Sequence, residues 1–500
     1  METLSNIFLG FSVALQPTNL FFCFVGVVLG TLVGVLPGLG PIAAISLLLP
    51  GTFKMPAVTG IIMMAGVFYG AMYGGSTTSI LVNIPGEAAS IVTCIDGYQM
   101  ARRGRAGAAL GIAAIGSFIA GTFSVILLMF LTPVLGNYAV KLGPSEYFTL
   151  MILGMTILTY LARGSVLKAW IMAVAGLFMG TIGTDPVTGH LRFTYGSNTL
   201  AGGVGLIPVA MGMFGVAEVL SNLEITLKHE VFQTKIKNIW PTWNDWVQSR
   251  WSIVRGSILG FFVGILPGPG ATIASFTSYA LERRISDHPE KFGTGAIEGV
   301  AGPESANNAA TGAAFIPLLA LGIPANIIMG LFLGALLIHG IKPGPLFISE
   351  YPELFWGVVT SMYVGNGMLL ILNLPLIGLW VKVVKMPYHL LFPLILLLCL
   401  LGAYSLNNNP TDILIMVIFG LFGYLVRKFK YEAAPFLLAL VLGPMMESNL
   451  RQALLISHGT FVIFVTRPFS LSLLIVSFII LLTSLFPALA KRKKLMTDDA

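Results

Sequence analysis

Charge is what this sequence has little of. Asp, Glu, Lys and Arg make up 10% of its 500 residues, against 56% hydrophobic, whereas a soluble domain carries about a quarter charged residues. A soluble enzyme is excluded. Cysteine is scarcer still: Cys23, Cys94 and Cys399 stand far apart in apolar surroundings with no CxxC, which excludes a disulfide framework and a thiolate metal site. The six histidines occur singly, and there is no GxSxG, HExxH or Walker A motif, so nothing encodes a hydrolase triad, a zinc-hydrolase helix or an ATP-binding module. Any uphill transport by such a chain has to draw on an ion gradient or a partner. Intramembrane Asp is nearly missing too, which argues against the clustered carboxylates and Mg²⁺ of a lipid-phosphate transferase. No cofactor is expected, and no metal beyond a coupling Na⁺.

What is present is a series of apolar runs. Residues 106–136 and 355–381 are continuously apolar for longer than a bilayer-crossing strand, so they read as helices and not as barrel strands. The expected fold is an all-α polytopic membrane protein. Spans lie near 19–36, 57–73, 106–136, 146–161, 166–183 and 202–220; a polar stretch at 221–250 follows, then further spans from 252–266 to 471–489, several too short to cross alone. Residues 1–16 have no Lys or Arg ahead of their apolar stretch and read as an uncleaved, partly amphipathic first helix. The excess of 28 Lys+Arg over 21 Asp+Glu sits in the breaks between apolar runs. There it reports orientation across a lipid bilayer and not a nucleic-acid partner.

A repeat organises the chain. The segment GTLVGVLPGLGPIAA from Gly30 returns as GFFVGILPGPGATIA from Gly260, identical at eight of fifteen positions. A weaker echo links Asn83-Ile84-Pro85-Gly86 with Gly322-Ile323-Pro324-Ala325. The expected domains are therefore a first transmembrane repeat at 1–220, a cytoplasmic linker at 221–250, a second repeat at 251–490 and a cytoplasmic tail at 491–500. Lys54 alone follows the first PGxG, while Arg102, Arg103 and Arg105 follow the Ile-Pro pair; in the second half Arg283, Arg284 and Lys291 follow PGPG and Lys342 follows the Ile-Pro pair. Because excess Lys and Arg marks the cytoplasmic side, the halves are expected to point in opposite directions. Inverted repeats suit a transporter, because mirrored halves can exchange conformations and open one site to either side.

The chemistry is expected at the helix breaks. A lone PGxG in a membrane helix reads as a kink, but two at matched positions read as a paired re-entrant anion site. Gly38, Gly40, Gly268 and Gly270 would allow the broken backbone to present its N–H groups. The stretch from Tyr73 to Gly86 adds Ser76, Thr77, Thr78 and Asn83, uncharged groups that suit a carboxylate as donors and Na⁺ as acceptors. Its counterpart EGVAGPESANNAATG adds Asn307 and Asn308 to the expected substrate site. Glu298 and Glu304 in that stretch are candidate coupling-ion ligands, with Thr78, or structural partners of a basic side chain.

Four stretches carry a family resemblance. LVNIPGEAASIVTCIDGYQMARRGRAGAALGIAAIGSFIAG from Leu81, TDPVTGHLRFTYG from Thr184, EGVAGPESANNAATGAAFIPLLALGIP from Glu298 and LVLGPMMESNLRQAL from Leu440 resemble the large membrane subunit of bacterial tripartite tricarboxylate transporters, over nearly the whole chain. The resemblance implies a secondary transporter of the bacterial inner membrane, driven by Na⁺ or H⁺. It also implies partners: a small membrane subunit and a periplasmic solute-binding protein that delivers a carboxylate. The helix breaks taken together with the resemblance suggest an elevator-like importer. Rival readings are a self-sufficient carboxylate carrier, a passive channel or exporter, and a membrane enzyme.

Overall fold

In the computed structural model, residues 2–36, 40–162, 164–185, 187–224, 239–384 and 388–485 are described. The first half runs α1 (Glu2–Ala14), α2 (Pro17–Val35), α3 (Gly40–Thr52), α4 (Ala57–Val82), a 3-10 turn (Ala88–Ser90), α5 (Ile91–Arg102) and α6 (Ala106–Ala139). Next come α7 (Pro144–Leu161), α8 (Val166–Gly180), a two-stranded hairpin of β1 (Gly183–Thr184) and β2 (Leu191–Arg192), α9 (Asn198–Ala201), α10 (Leu206–Ala210), a π-helical turn (Met211–Val216) and α11 (Ala217–Glu224). Among the described residues six helices are long and apolar enough to cross a membrane: α2, α4, α6, the α10–α11 unit, and two in the second half named below. This is an all-α polytopic membrane protein.

The second half starts with α12 (Trp243–Ile265), α13 (Gly270–Ile285), α14 (Glu298–Ala313), α15 (Phe315–Leu321) and α16 (Ile327–Ile338). It continues through α17 (Phe347–Glu350), α18 (Pro352–Asn373), α19 (Ile377–Val384), α20 (Tyr388–Asn407), α21 (Pro410–Lys428), α22 (Ala434–Ile456), α23 (Ile463–Thr466) and α24 (Pro468–Leu485). Helices α18 and α21 complete the six. The continuous apolar run at 355–381 divides between α18 and α19. The stretch expected as a hydrophilic linker contributes its last residues to α12, whose first turn is capped by Thr242 and Asp245 in a reciprocal box. Residues 225–238 and the tail at 491–500 lie outside the described residues.

Two seams of glycine set the packing. Along α2, a Cβ at Gly26, Gly30 or Gly34 would sit 2.2, 2.3 or 2.2 Å from the carbonyl oxygens of Met63, Val67 and Ala71 on α4. Along α12, a Cβ at Gly256, Gly260 or Gly264 would sit 2.4, 2.1 or 2.5 Å from backbone atoms of Gly302, Ala306 and Ala310 on α14. Only hydrogen fits at these crossings. The apolar contact that drives folding in water is little help in lipid, so close backbone approach through small residues is what holds such helices together. The seams seat α4 and α14 in the centre of the molecule, buried over Thr59–Val82 and Gly299–Ala313. Lipid-type side chains face outward elsewhere, as at Phe130 and Val134 on α6 and Leu167, Ile171 and Val174 on α8.

Candidate functional site

Helix α14 is polar along much of its length and yet wholly inside, so its polar groups have to be answered by neighbours. Several of them are answered by the first half. Glu304, fully buried, accepts hydrogen bonds from Ser76 Oγ of α4 at 2.6 Å and from Thr93 Oγ1 of α5. One turn on, Asn307 Nδ2 donates to Glu87 Oε1 at 3.3 Å, and Asn308 Nδ2 donates to Ser117 Oγ of α6 at 2.7 Å. The second-half sequence EGVAGPESANNAATG and the first-half sequence YGGSTTSILVNIPG thus meet through side-chain hydrogen bonds. Neither Glu304 nor Glu87 has a basic partner among the described ion pairs.

The backbone explains the placement. Helix α4 stops at Asn83, whose φ of 59° is left-handed, a conformation that Asn tolerates better than most side chains. Asn83 is exposed. Gly86 follows in contact with α2 and α4, where a Cβ would sit 2.1 Å from Gly34 O. Glu87 then caps the 3-10 turn, its carboxylate accepting from Ala89 N at 2.5 Å. Thr78 donates to Val35 O, the last carbonyl of α2, at 2.8 Å, and Thr77 is buried beside it.

The second break is built alike. Helix α12 ends at Ile265 and α13 begins at Gly270; between them Gly268, at φ +134°, donates its N–H to Ala325 O at 2.8 Å. Helix α15 stops at Gly322 in a left-handed turn, and Asn326 caps α16 by accepting from Met329 N. PGPG and Gly322-Ile323-Pro324-Ala325 are therefore bonded neighbours. In the first half, Gly40 opens α3 at φ +61° with open space beside it; Pro37 and Gly38 lie outside the described residues. Helix α3 packs against α4 and also touches α16, and α13 packs against α14 and also touches the 3-10 turn and α5, so the helix after each PGxG reaches the other half.

The sequence profile of the Tripartite tricarboxylate transporter TctA family matches residues 20–438. The chain belongs to that family. TctA proteins are transporters and not enzymes, so this TctA-family chain is a multi-pass membrane component of a tripartite tricarboxylate transporter. It is 51% identical over 500 residues, all of both chains, to an uncharacterized 52.8 kDa protein of the TAR-I ttuC' 3' region of Agrobacterium vitis. A second relative from Agrobacterium vitis, an uncharacterized protein of the TAR-II ttuC' 3' region, is 49% identical over 241 residues, 48% of this chain and all of the relative. No solved structure matches.

Other expected and unexpected residues of this TctA-family chain fall into place around that core. Glu298, at the start of α14, is half-buried and lines a cavity of about 1200 Å³ with Arg103, Arg105, Arg255, Glu282 and Lys291, apart from the Glu304 cluster. Glu87, Thr93 and Ser117 escaped the sequence reading. So did Asp96, which is buried and accepts from Gly293, Gly295 and Ala296 N–H and from Tyr279 Oη. Glu87 follows the Pro85-Gly86 break and reads as a loop acid, and its one legible signal is its capping-box spacing to Ser90. At the hairpin, Arg451 grips Asp185 with two hydrogen bonds and Arg192 grips Glu447 likewise. The N–H groups of Val187 and Thr188, and then Arg451, hold the Asp185 carboxyl well below the usual carboxylate range.

Proposed function

We propose that this chain is the transport-bearing subunit of an importer that carries a small carboxylate, a tricarboxylate or related organic acid, across the bacterial inner membrane. A periplasmic solute-binding protein delivers the substrate, a small membrane subunit accompanies the chain, and a Na⁺ or H⁺ gradient drives accumulation. The observation that carries the reading is the pairing of breaks. Left-handed stops at Asn83 and Gly322, capped restarts at Glu87 and Asn326, and glycine seams at Gly30 and Gly260 recur in the same order in both halves. Residues 1–220 and 251–490 are read as inverted repeats joined through a cytoplasmic linker, with elevator-like movement of one part against the rest.

Within this reading Gly40, Gly268 and Gly270 let the broken backbone approach an anion, as does Gly38, while Ser76, Thr77, Asn83, Asn307 and Asn308 supply uncharged donors. Thr78, Glu298 and Glu304 are the candidates for the coupling ion. High-affinity capture falls to the receptor, because the longest hydrophilic stretch, 221–250, is shorter than the ~40 residues a small domain needs to fold alone. The test is citrate uptake into proteoliposomes holding the chain with and without the small subunit and the receptor. Gradient-driven accumulation is expected only with all three. Full-rate, high-affinity uptake by the chain alone would replace this reading with a self-sufficient carrier, and flux indifferent to gradients and unsaturable would replace it with a channel.

A further inference from the structure

We infer that Glu87 and Glu304 form a two-carboxyl site that binds the coupling proton, with Asn307 between them. The inference rests on the gradient-driven reading above and adds the ion and its place. Glu304 and Asn307 lie three residues apart on α14, facing α4, α5 and the 3-10 turn, so the two carboxyl groups meet at one buried face of α14. No Lys, Arg or His reaches either one among the described ion pairs. Two carboxylates left ionised in such a place cost far more than a hydroxyl or amide can return, so a cation must neutralise them.

The hydrogen bonding selects the proton. All four carboxyl oxygens already face donors: Thr93 and Ser76 on Glu304, Asn307 Nδ2 and Ala89 N on Glu87. Na⁺ needs several converging oxygens free of such hydrogens, as hard cations do generally. Asn307 Oδ1, meanwhile, is fully buried with no hydrogen-bond partner among the described residues. A buried acceptor without a donor is expensive, and a protonated carboxyl beside it is a donor of the missing kind. The other titratable groups around the pair are Tyr73 on α4, which donates to Asn366; Cys94 and Asp96 on α5; and Tyr279 on α13, which donates to Asp96. None of them carries a positive charge that could neutralise the pair.

Access and coupling follow from the break. Glu87 is buried, while Asn83 and Ala88 at the two ends of the break are exposed, so the carboxyl lies in a stretch of chain that reaches the surface on both sides of it. A carboxylate substrate held by the same break would be repelled by two ionised glutamates and accepted once they are neutral. Proton and anion then bind together, which is the requirement for symport.

The test uses the assembled transporter in proteoliposomes with citrate as probe, under a pH gradient at equal Na⁺ or a Na⁺ gradient at equal pH. The wild type should accumulate citrate under the pH gradient, and in E87Q and E304Q the ratio of driven accumulation to citrate counterflow should fall about tenfold, with partial rescue in Glu304→Asp. A wild type driven by Na⁺ alone, or Gln variants that keep the pH response, would overturn the inference while leaving the importer standing. If the wild type moves no citrate under either gradient, citrate is ruled out as its substrate, independently of the proton site. Infrared difference spectra of the purified chain, taken without substrate, then decide: a protonated-carboxyl band lost in both E87Q and E304Q supports the proton site, and an unchanged band in both removes it.

Discussion

At the scale of single residues, the glycines of the breaks are not equivalent. Gly268 holds φ +134°, and a Cβ there would also meet Leu161 Cδ1 at 3.2 Å; Gly40 holds φ +61° with nothing near. Gly268→Ala should therefore lower stability by about 1–3 kcal/mol, and Gly40→Ala by less, since only the left-handed backbone is at stake there. Thermal unfolding in detergent reads both, and equal melting of the two variants would contradict this account. Asp185 gives a pH prediction. Its carboxyl is held below its unfolded value by the Val187 and Thr188 N–H groups and Arg451, so its stabilisation is present above the ordinary carboxylate range and lost as pH falls through the folded value. Asp185→Asn should melt lower than the wild type at neutral pH, with the gap closing on acidification.

At the scale of elements, the seams make the sharpest forecast. Gly30→Ala and Gly260→Ala each thrust a methyl to 2.3 or 2.1 Å from a facing carbonyl oxygen, whereas Gly367→Ala enters open space. The first two should lose roughly 1–3 kcal/mol or more by overpacking and the third almost nothing, as melting temperature and yield of folded protein would report. Much at this scale was legible in the sequence, because apolar length is a strong signal: α6 at Ala106–Ala139 and the interruptions before Gly40 and Gly270 are where the apolar runs and PGxG put them. The reach of α4 to Val82 was less so. Its Ser76 and Ser79 hydroxyls return to the carbonyls of Met72 and Gly75, which lets a polar stretch stay helical. Glu87 was legible only in its local cap, through Ala89 N–H; its partner Asn307 lies 220 residues away, and the N–H groups of Gly293, Gly295 and Ala296 that hold Asp96 lie 197 to 200 residues away, which no local pattern encodes.

At the scale of the whole molecule, orientation can be read with four cysteines. Lys54, Arg103, Arg284 and Lys342 are all exposed, so single cysteines there, in a background without Cys23, Cys94 and Cys399, should report sidedness to an impermeant thiol reagent. Positions 103 and 284 are expected to label from the cytoplasm and 54 and 342 from outside; labelling of 103 and 284 from opposite sides would contradict the inverted arrangement. The cross-half bonding also bears on how the protein is made. Ser76 is 228 residues ahead of its partner Glu304, and Glu87 is 220 ahead of Asn307. At a synthesis rate of about 5–20 residues per second, the polar end of α4 waits roughly ten seconds or more in the bilayer before α14 leaves the ribosome. During that interval the nascent first half carries an unpaired polar helix face that lipid does not solvate, so its safe passage depends on being sheltered by the insertion machinery until the second half arrives.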